Sequence, residues 1–325
     1  MDDKTRLDLY RVMVLSRTFE EAVLREYHAD KKPAFDIGAG LVPGEMHLSA
    51  GQEPVAAGVC AHLRDDDAVT ATHRPHHIAI AHGIDLDLMA AEIFGRETGL
   101  GRGRGGHMHL FDPRTHFSCS GIVAEGLPPA VGHAFAFKRA GGDRVAVAFT
   151  GEGAANQGAF HESLNLAALW QLPVVFVIED NEWAISVARE ASTAIGSNAD
   201  RAAAYGIPGQ RLEDNDVDAV YTAAGDAVAR ARAGEGPSLI EVHTVRLWGH
   251  FEGDAQGYRP DLAEVTGRDP ITAYEARLSA AGILDDAAIR QVRSEAAARV
   301  EKAIGFAKSS PLPAPDTALE YVFAS

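Results

Sequence analysis

The residues with the clearest chemical potential lie in the stretch AVAFTGEGAANQGAFHESLNLA, residues 146–167. An apolar run ends in Gly151-Glu152-Gly153, and a helical pattern follows within a few residues. A strand, a glycine turn and a helix make a phosphate site, because free backbone N–H groups and the positive helix end point at the anion. Such a site ordinarily carries a lysine; here it carries a glutamate. From Gly151 to Asn181 the chain parses as strand end, turn, helix, second strand and polar corner, which is one βαβ unit. In a parallel sheet the two strand ends of such a unit emerge side by side, at the edge where open α/β sheets bind ligands. A carboxylate and an amide oxygen meeting there are hard ligands of the kind magnesium takes, with water and phosphate oxygens filling the rest of its octahedron. The glutamate would then reach a phosphate through the ion. In the alternative reading, Glu152 only caps the helix that follows, where the dipole favours a carboxylate.

Other polar clusters punctuate the chain. ATHRPHHIAIAHG places His73, Arg74, His76 and His77 just past an apolar run. Three histidines within five residues could suggest zinc, but alternating strand geometry would not aim them at one point, and no Cys or carboxylate completes a site. Arg74 as a phosphate fork is the better reading. GLGRGRGGHMHLFD contains Gly101-x-Gly103-x-x-Gly106, a formal match to the dinucleotide fingerprint. The match fails on context, because a helical segment precedes it and no acidic residue about twenty positions on follows a second strand. His107 and His109 in the same segment read as structural histidines. His47 precedes a helix that starts near Gln52-Glu53, and VRLWGHFEGDAQGYR supplies Arg246 and His250. A histidine in such a place can switch protonation near neutrality and move a proton.

The elements that must position these groups are legible as runs. Short β-rich segments at 68–73, 144–150, 173–180 and 238–247 alternate with helical patterns, indicating an α/β fold with a mostly parallel sheet covered by helices on both faces. Glycine-rich loops fall at 36–44, 99–106 and 151–158. Residues 1–35 read as an N-terminal amphipathic helix, 36–250 as the α/β core, and 251–325 as a loop and a helical C-terminal extension, all in one domain. The N-terminal segment is not expected to be a signal peptide, since acidic residues stand where a basic head would. A formal net charge of −16 argues against nucleic acid or an anionic membrane as partner. No segment approaches about eighteen uninterrupted apolar residues, so no membrane span is expected. Cys60 and Cys119 are too few for a disulfide framework, and a reduced, cytoplasmic setting is expected.

The segment GEGAANQGAFHESLNLAALWQLPVVFVIEDNEWAIS resembles the thiamine-diphosphate fingerprint that opens with Gly-Asp-Gly and closes about thirty residues later with Asn-Asn. Its interior is similar to the alpha subunits of the heteromeric 2-oxoacid and acetoin dehydrogenase complexes, and the likeness runs along nearly the whole chain. The resemblance implies the thiamine diphosphate-binding fold in its diphosphate-binding form, with thiamine diphosphate and Mg2+ as cofactors. It places the metal ligands on Glu152, Asn181 and the backbone carbonyl of Trp183. Gly151 and Gly153 would let the backbone approach the diphosphate, held also by His73, Arg74, Arg246 and His250. Gly121 and Val123 would bind the aminopyrimidine, and Ile185 would sit under the bent cofactor; otherwise Ile185 is core. His47, His76 and His250 are the expected catalytic histidines. The sequence departs from the pattern at Glu152 for Asp, Asp180 for the first Asn, Pro75 beside Arg74, and Phe251 where mitochondrial pyruvate dehydrogenases carry a phosphorylatable Ser.

The same resemblance implies a beta subunit partner in an α2β2 heterotetramer, a lipoyl-bearing acyltransferase and a small carbonyl substrate. GHFEGDAQ and the His-Arg pair resemble acetoin dehydrogenases most. Acetoin, or a similar 2-hydroxyketone or 2-oxoacid, would be cleaved to a hydroxyethyl-type adduct, and the acyl group passed to lipoamide. Two readings stand beside this one: a decarboxylating pyruvate or branched-chain 2-oxoacid dehydrogenase subunit, and a non-catalytic scaffold or regulatory subunit.

Overall fold

The structure is a computed structural model that describes residues 1–29, 31 and 38–320. The boundary drawn at residues 35 and 36, the start of the first glycine-rich loop and the last five residues of the C-terminal extension lie outside the described residues. The strands are β1 (Ala68–Ala71), β2 (Phe111–Asp112), β3 (Phe117–Cys119), β4 (Ala146–Gly151), β5 (Val174–Asp180), β6 (Trp183–Ala184), β7 (Val187–Ala188), β8 (Gly209–Leu212) and β9 (Ser238–His243). Seven form one sheet in the order β2-β3-β1-β4-β5-β9-β8. Every pairing in it is parallel except β2 with β3. The fold class is therefore the expected one: a mostly parallel α/β sheet between helices.

The helices are α1 (Asp3–His28), α2 (Glu53–Cys60), α3 (His76–Ala81), α4 (Leu86–Ile93), α5 (Leu127–Ala140), α6 (Gly158–Leu169), α7 (Arg189–Ser192), α8 (Val217–Arg232), α9 (Leu262–Val265), α10 (Pro270–Ala280) and α11 (Asp286–Ser309). Successive strand side chains point to opposite faces, so a strand covered on both sides must be apolar throughout. In β5, Val175 and Val177 face a core built with α1 to α4 and α8. Val174, Phe176 and Ile178 face a second core built with α5 and α6. The helical C-terminal segment folds back, with α10 and α11 packing against α1, and α11 also along α4.

Three features go beyond the sequence reading. β2 and β3 make a short antiparallel hairpin at one edge, and β8 forms the other edge against a 3-10 turn at Asn198–Tyr205. β6 and β7 form a separate two-stranded hairpin directly after Asn181. The run at 238–247 is strand only as far as His243, and its remainder is irregular.

Candidate active site

Gly151 on β4 pairs with Glu179 on β5, so Glu152 and the Asp180-Asn181 corner leave adjacent strands side by side. Their meeting place borders a cleft of about 780 Å³ over the carboxyl ends of the strands. Of the expected site residues, Glu152, Asn181, Arg74, Arg246, His47 and His250 line it. So do His73, Gly121, Val123, Gly151, Gly153, Trp183 and Ile185. His76 does not. Gly153 is required sterically, because a Cβ there would stand 2.5 Å from that of Ala184.

Glu152 is 2% exposed. Burial, then the neighbouring Asp180 carboxylate, push its pKa up to about 7, against the backbone N–H groups of Glu152 and Asn181 that favour the ionised form. Asn181 accepts from the Trp183 N–H at 3.2 Å and donates to Gln52 Oε1 at 3.1 Å, so Gln52 orients the amide from α2's N-terminal side. Asp180, in place of the first Asn, faces away toward Arg189, with 3.2 Å from its Oδ2 to the guanidinium Nε.

Two buried guanidinium groups line the same cleft. Arg74 donates to the carbonyls of Leu48 and, at 2.9 Å, His250; burial and Arg246 lower its pKa to about 10. Arg246, 1% exposed, donates to Tyr258 Oη at 2.9 Å and to the Trp183 and Ile185 carbonyls at 3.5 and 3.4 Å. Its Nε has no partner. Neither arginine has a carboxylate within ion-pair distance among the described residues; their neighbours are carbonyls, an imidazole and a phenol. Two buried cations without a carboxylate in contact are stabilised when an anion joins them, and a buried acid with a raised pKa gains from a cation. The residues therefore fit a polyanion carrying a divalent ion, with the anion toward Arg74 and Arg246 and the ion toward Glu152.

Three imidazoles from separate loops converge here. The rings of His47 and His73 are 4.7 Å apart, His47 and His250 5.0 Å, and His73 and His250 5.2 Å. Their nearest nitrogens lie within 4.8 Å of one another, a spacing at which a metal could bind. Arg246 Nη1 stands 3.3 Å from His250 Nδ1, however, and Arg74 adds a second positive charge, so the surroundings favour an anion. Burial first, then these arginines, lower the His250 pKa to about 3, and that of His47 falls further still. The expected switching near neutrality is thus corrected: in this state of the cleft, burial and the neighbouring positive charges hold the imidazoles below their ordinary range and favour the neutral form.

The catalytic placing of His76 is also corrected. As the first residue of α3 it is turned from the cleft toward α1, with Nδ1 3.0 Å from Glu20 Oε2 and no solvent exposure. His77 pairs with Glu179 at 2.6 Å. The expectation that the His73–His77 cluster does not converge holds. His107, read as structural, is buried and stacks on His47 with centroids 5.3 Å apart, while His109 lines the cleft.

Ile185 is not core. It is 56% exposed, into the cleft, and its φ is +54°. It occupies the first position of the two-residue turn between β6 and β7, where positive φ favours glycine. A β-branched residue in this conformation is strained, and such strain clusters at ligand clamps. The sequence reading missed Gln52 and Tyr258. Tyr258 donates to Asp254 at 2.6 Å, and Asp254 accepts from the His250 N–H at 2.8 Å, tying the loop after Arg246 into one unit. The density of polar residues in GHFEGDAQGYR is the signal that could have found it.

Comparison with known proteins gives one answer. A family model described as dehydrogenase E1 component matches residues 11–316. The alpha subunit of acetoin:2,6-dichlorophenolindophenol oxidoreductase from Cupriavidus necator is 42% identical, over 100% of this chain and 96% of its own length. Its counterpart from Bacillus subtilis is 44% identical, over 100% and 95%. The pyruvate dehydrogenase E1 component subunit alpha of Porphyra purpurea is 37% identical, over 98% and 92%.

Proposed function

The chain belongs to the dehydrogenase E1 component family, a family of thiamine-diphosphate-dependent oxidoreductases, and from that premise we propose that it is the alpha subunit of an acetoin-cleaving enzyme that works with a beta subunit. The observation that carries the reading is the lining of one cleft by a buried acid with a raised pKa and two buried guanidinium groups without carboxylate partners at ion-pair distance. In this reading Arg74 and Arg246 hold the diphosphate. Glu152, the Asn181 amide oxygen and the Trp183 carbonyl hold Mg2+, and Gly151 and Gly153 let the backbone approach. Gly121 and Val123 receive the aminopyrimidine. Ile185, pushed into the cleft by its turn, holds the cofactor bent.

When bound, thiamine diphosphate supplies a carbanion that adds to a carbonyl and a ring that takes up the electron pair of the broken bond. The work of this chain is positioning and proton handling. His250 and His47, whose burial favours the neutral form, are placed to accept a proton within the cleft. An anion seated between the arginines raises their basicity toward neutrality, so the proton is held only in the loaded site. The partner subunit completes the pyrimidine side, in an α2β2 assembly that passes the acyl group to a lipoyl-bearing acyltransferase.

Two considerations support acetoin over a 2-oxoacid. The two relatives named for acetoin are 42% and 44% identical, and the pyruvate dehydrogenase subunit from Porphyra purpurea is 37% identical. Among the described residues no Lys or Arg beyond Arg74 and Arg246 lines the cleft, so a substrate carboxylate would find no further guanidinium or ammonium group there on this chain. The test is an assay of the chain reconstituted with its beta subunit, using acetoin, pyruvate and branched 2-oxoacids with a dye acceptor. Acetoin should turn over fastest. Turnover of pyruvate without acetoin would replace this reading with the decarboxylating one, and calorimetry without magnesium-dependent binding of thiamine diphosphate would leave only a scaffold.

A further inference from the structure

The glycine-rich segment 99–106 holds neither a dinucleotide nor a phosphate, because a carboxylate of the chain itself fills it. Glu92, near the end of α4, has no solvent exposure. Its Oε2 accepts from the backbone N–H groups of Gly101 at 2.7 Å and Gly103 at 2.8 Å, and its Oε1 from Gly105 at 2.7 Å and Gly106 at 3.2 Å. Four main-chain donors wrapped on one carboxylate are the nest that elsewhere receives a phosphate. The glycines follow from that wrapping. A Cβ on Gly99 would meet Glu92 Oε2 at 2.5 Å, and one on Gly101 or Gly105 would meet Oε1 at 3.2 Å. Gly103 and Gly106 take positive φ values of 73° and 61°.

The segment runs directly into the cleft wall. His107 stacks on His47, and Met108 and His109 line the cleft. Met108 Sδ and His109 Cε1 lie 3.4 and 3.6 Å from where a Cβ of Gly121 would stand, so they back the Gly121 peptide. The same chain continues into β2, and its hairpin partner β3, which ends at Cys119, leads directly into Ser120 and Gly121. The carboxylate thus sets both the strand of chain behind Gly121 and the start of the hairpin that carries it.

We propose that Glu92 is the positioning residue for the aminopyrimidine half of the cofactor site: it sets the Met108-His109 wall and the Gly121–Val123 backbone and leaves the diphosphate half to Arg74, Arg246 and Glu152. This rests on the thiamine-diphosphate reading. Gln in its place keeps one acceptor oxygen but turns an NH2 group toward backbone N–H donors, leaving two of them unsatisfied. Gly101→Ala perturbs the same nest from the loop side with a smaller contact.

The experiment is calorimetric titration of the αβ complex, with Mg2+ present throughout, using thiamine diphosphate and, separately, inorganic diphosphate. It compares wild type, Glu92→Gln and Gly101→Ala, with thermal denaturation of each. Wild type should bind both ligands. In the variants, thiamine diphosphate affinity should fall by about tenfold or more, while inorganic diphosphate affinity stays within about twofold. Equal losses for the two ligands, or no loss for either in Gly101→Ala and a folded Glu92→Gln, would overturn the role assigned to Glu92. Failure of the wild type to bind thiamine diphosphate would instead overturn the functional reading. If Glu92→Gln fails to assemble, Gly101→Ala alone decides by the same split.

Discussion

Replacing Glu152 with Gln should stabilise the cofactor-free assembly and at the same time abolish its ability to be stabilised by cofactor. In the folded chain the Glu152 carboxyl has its pKa raised from 4.5 to about 7. At about 1.4 kcal/mol for each pH unit, the ionised and cation-free carboxylate costs the fold roughly 3 kcal/mol above pH 7. Below pH 4.5 the group is protonated in both folded and unfolded chains and this penalty is absent. Between pH 4.5 and 7 the folded chain retains a proton that the unfolded chain has lost, so stability falls as pH rises, and the loss is complete above pH 7. Gln, of nearly the same shape and never ionised, removes that pH-dependent loss. Denaturant unfolding of the cofactor-free complex should therefore show Glu152→Gln more stable by roughly 2–3 kcal/mol at pH 8 relative to its difference at pH 4.5. With Mg2+ and thiamine diphosphate the order should reverse, because only the carboxylate engages the cation. A stability difference that does not change with pH would refute the assignment of the raised pKa to Glu152. A variant still stabilised by magnesium and cofactor as strongly as wild type would refute its role as ligand.

Arg246→Gln removes one of the two buried cations. It should weaken binding of inorganic diphosphate by about 30-fold or more, measured by calorimetry, without lowering the denaturation midpoint of the cofactor-free protein. Ile185→Ala removes a side chain that is already exposed, so stability should change by no more than about 0.5 kcal/mol. Steady-state turnover should nevertheless fall by about tenfold or more as the cofactor loses its support. Glu152→Asp shortens the ligand by one methylene. Titration with Mg2+ should show a changed metal affinity in that variant, with the cofactor-free stability still falling between acid and neutral pH.

Much of the fold is legible because strands covered on both faces leave unbroken apolar runs. Val174 to Ile178 can be read as strand without knowing what covers either side. β8 could not be read, because in Gly-Gln-Arg-Leu only Leu212 is buried. Nor could the β2–β3 hairpin, whose members are two and three residues long. In the site, Glu152 and Asn181 follow from βαβ spacing, since a fixed topology brings those two strand ends together. The convergence of His47, His73 and His250 does not, because each follows a different element and only the packed structure sets their distances. A motif likeness carries the residue type of His76 but not its direction, which α3 fixes by starting at that residue. The strain at Ile185 has a faint signal in hindsight: a hairpin turn with neither Gly nor Asn at its tip. Glu92 had none, since an acid in the middle of DLMAAEIFG looks like an ordinary helix residue until the glycine loop is seen wound around it.

Both ends of the main sheet are poor templates for further strands. At one end β2 is only two residues long, and at the other β8 lies against the Asn198–Tyr205 turn, so tightly that a Cβ on Gly209 would stand 2.3 Å from the Ala199 carbonyl oxygen. Short and covered edges resist the addition of another chain by main-chain hydrogen bonds. Recognition of a companion then falls to helices and loops more than to the edges of this sheet. Such recognition can be made selective residue by residue, and it lets a cell holding several related subunits keep their pairings apart without the risk of sheets fusing edge to edge.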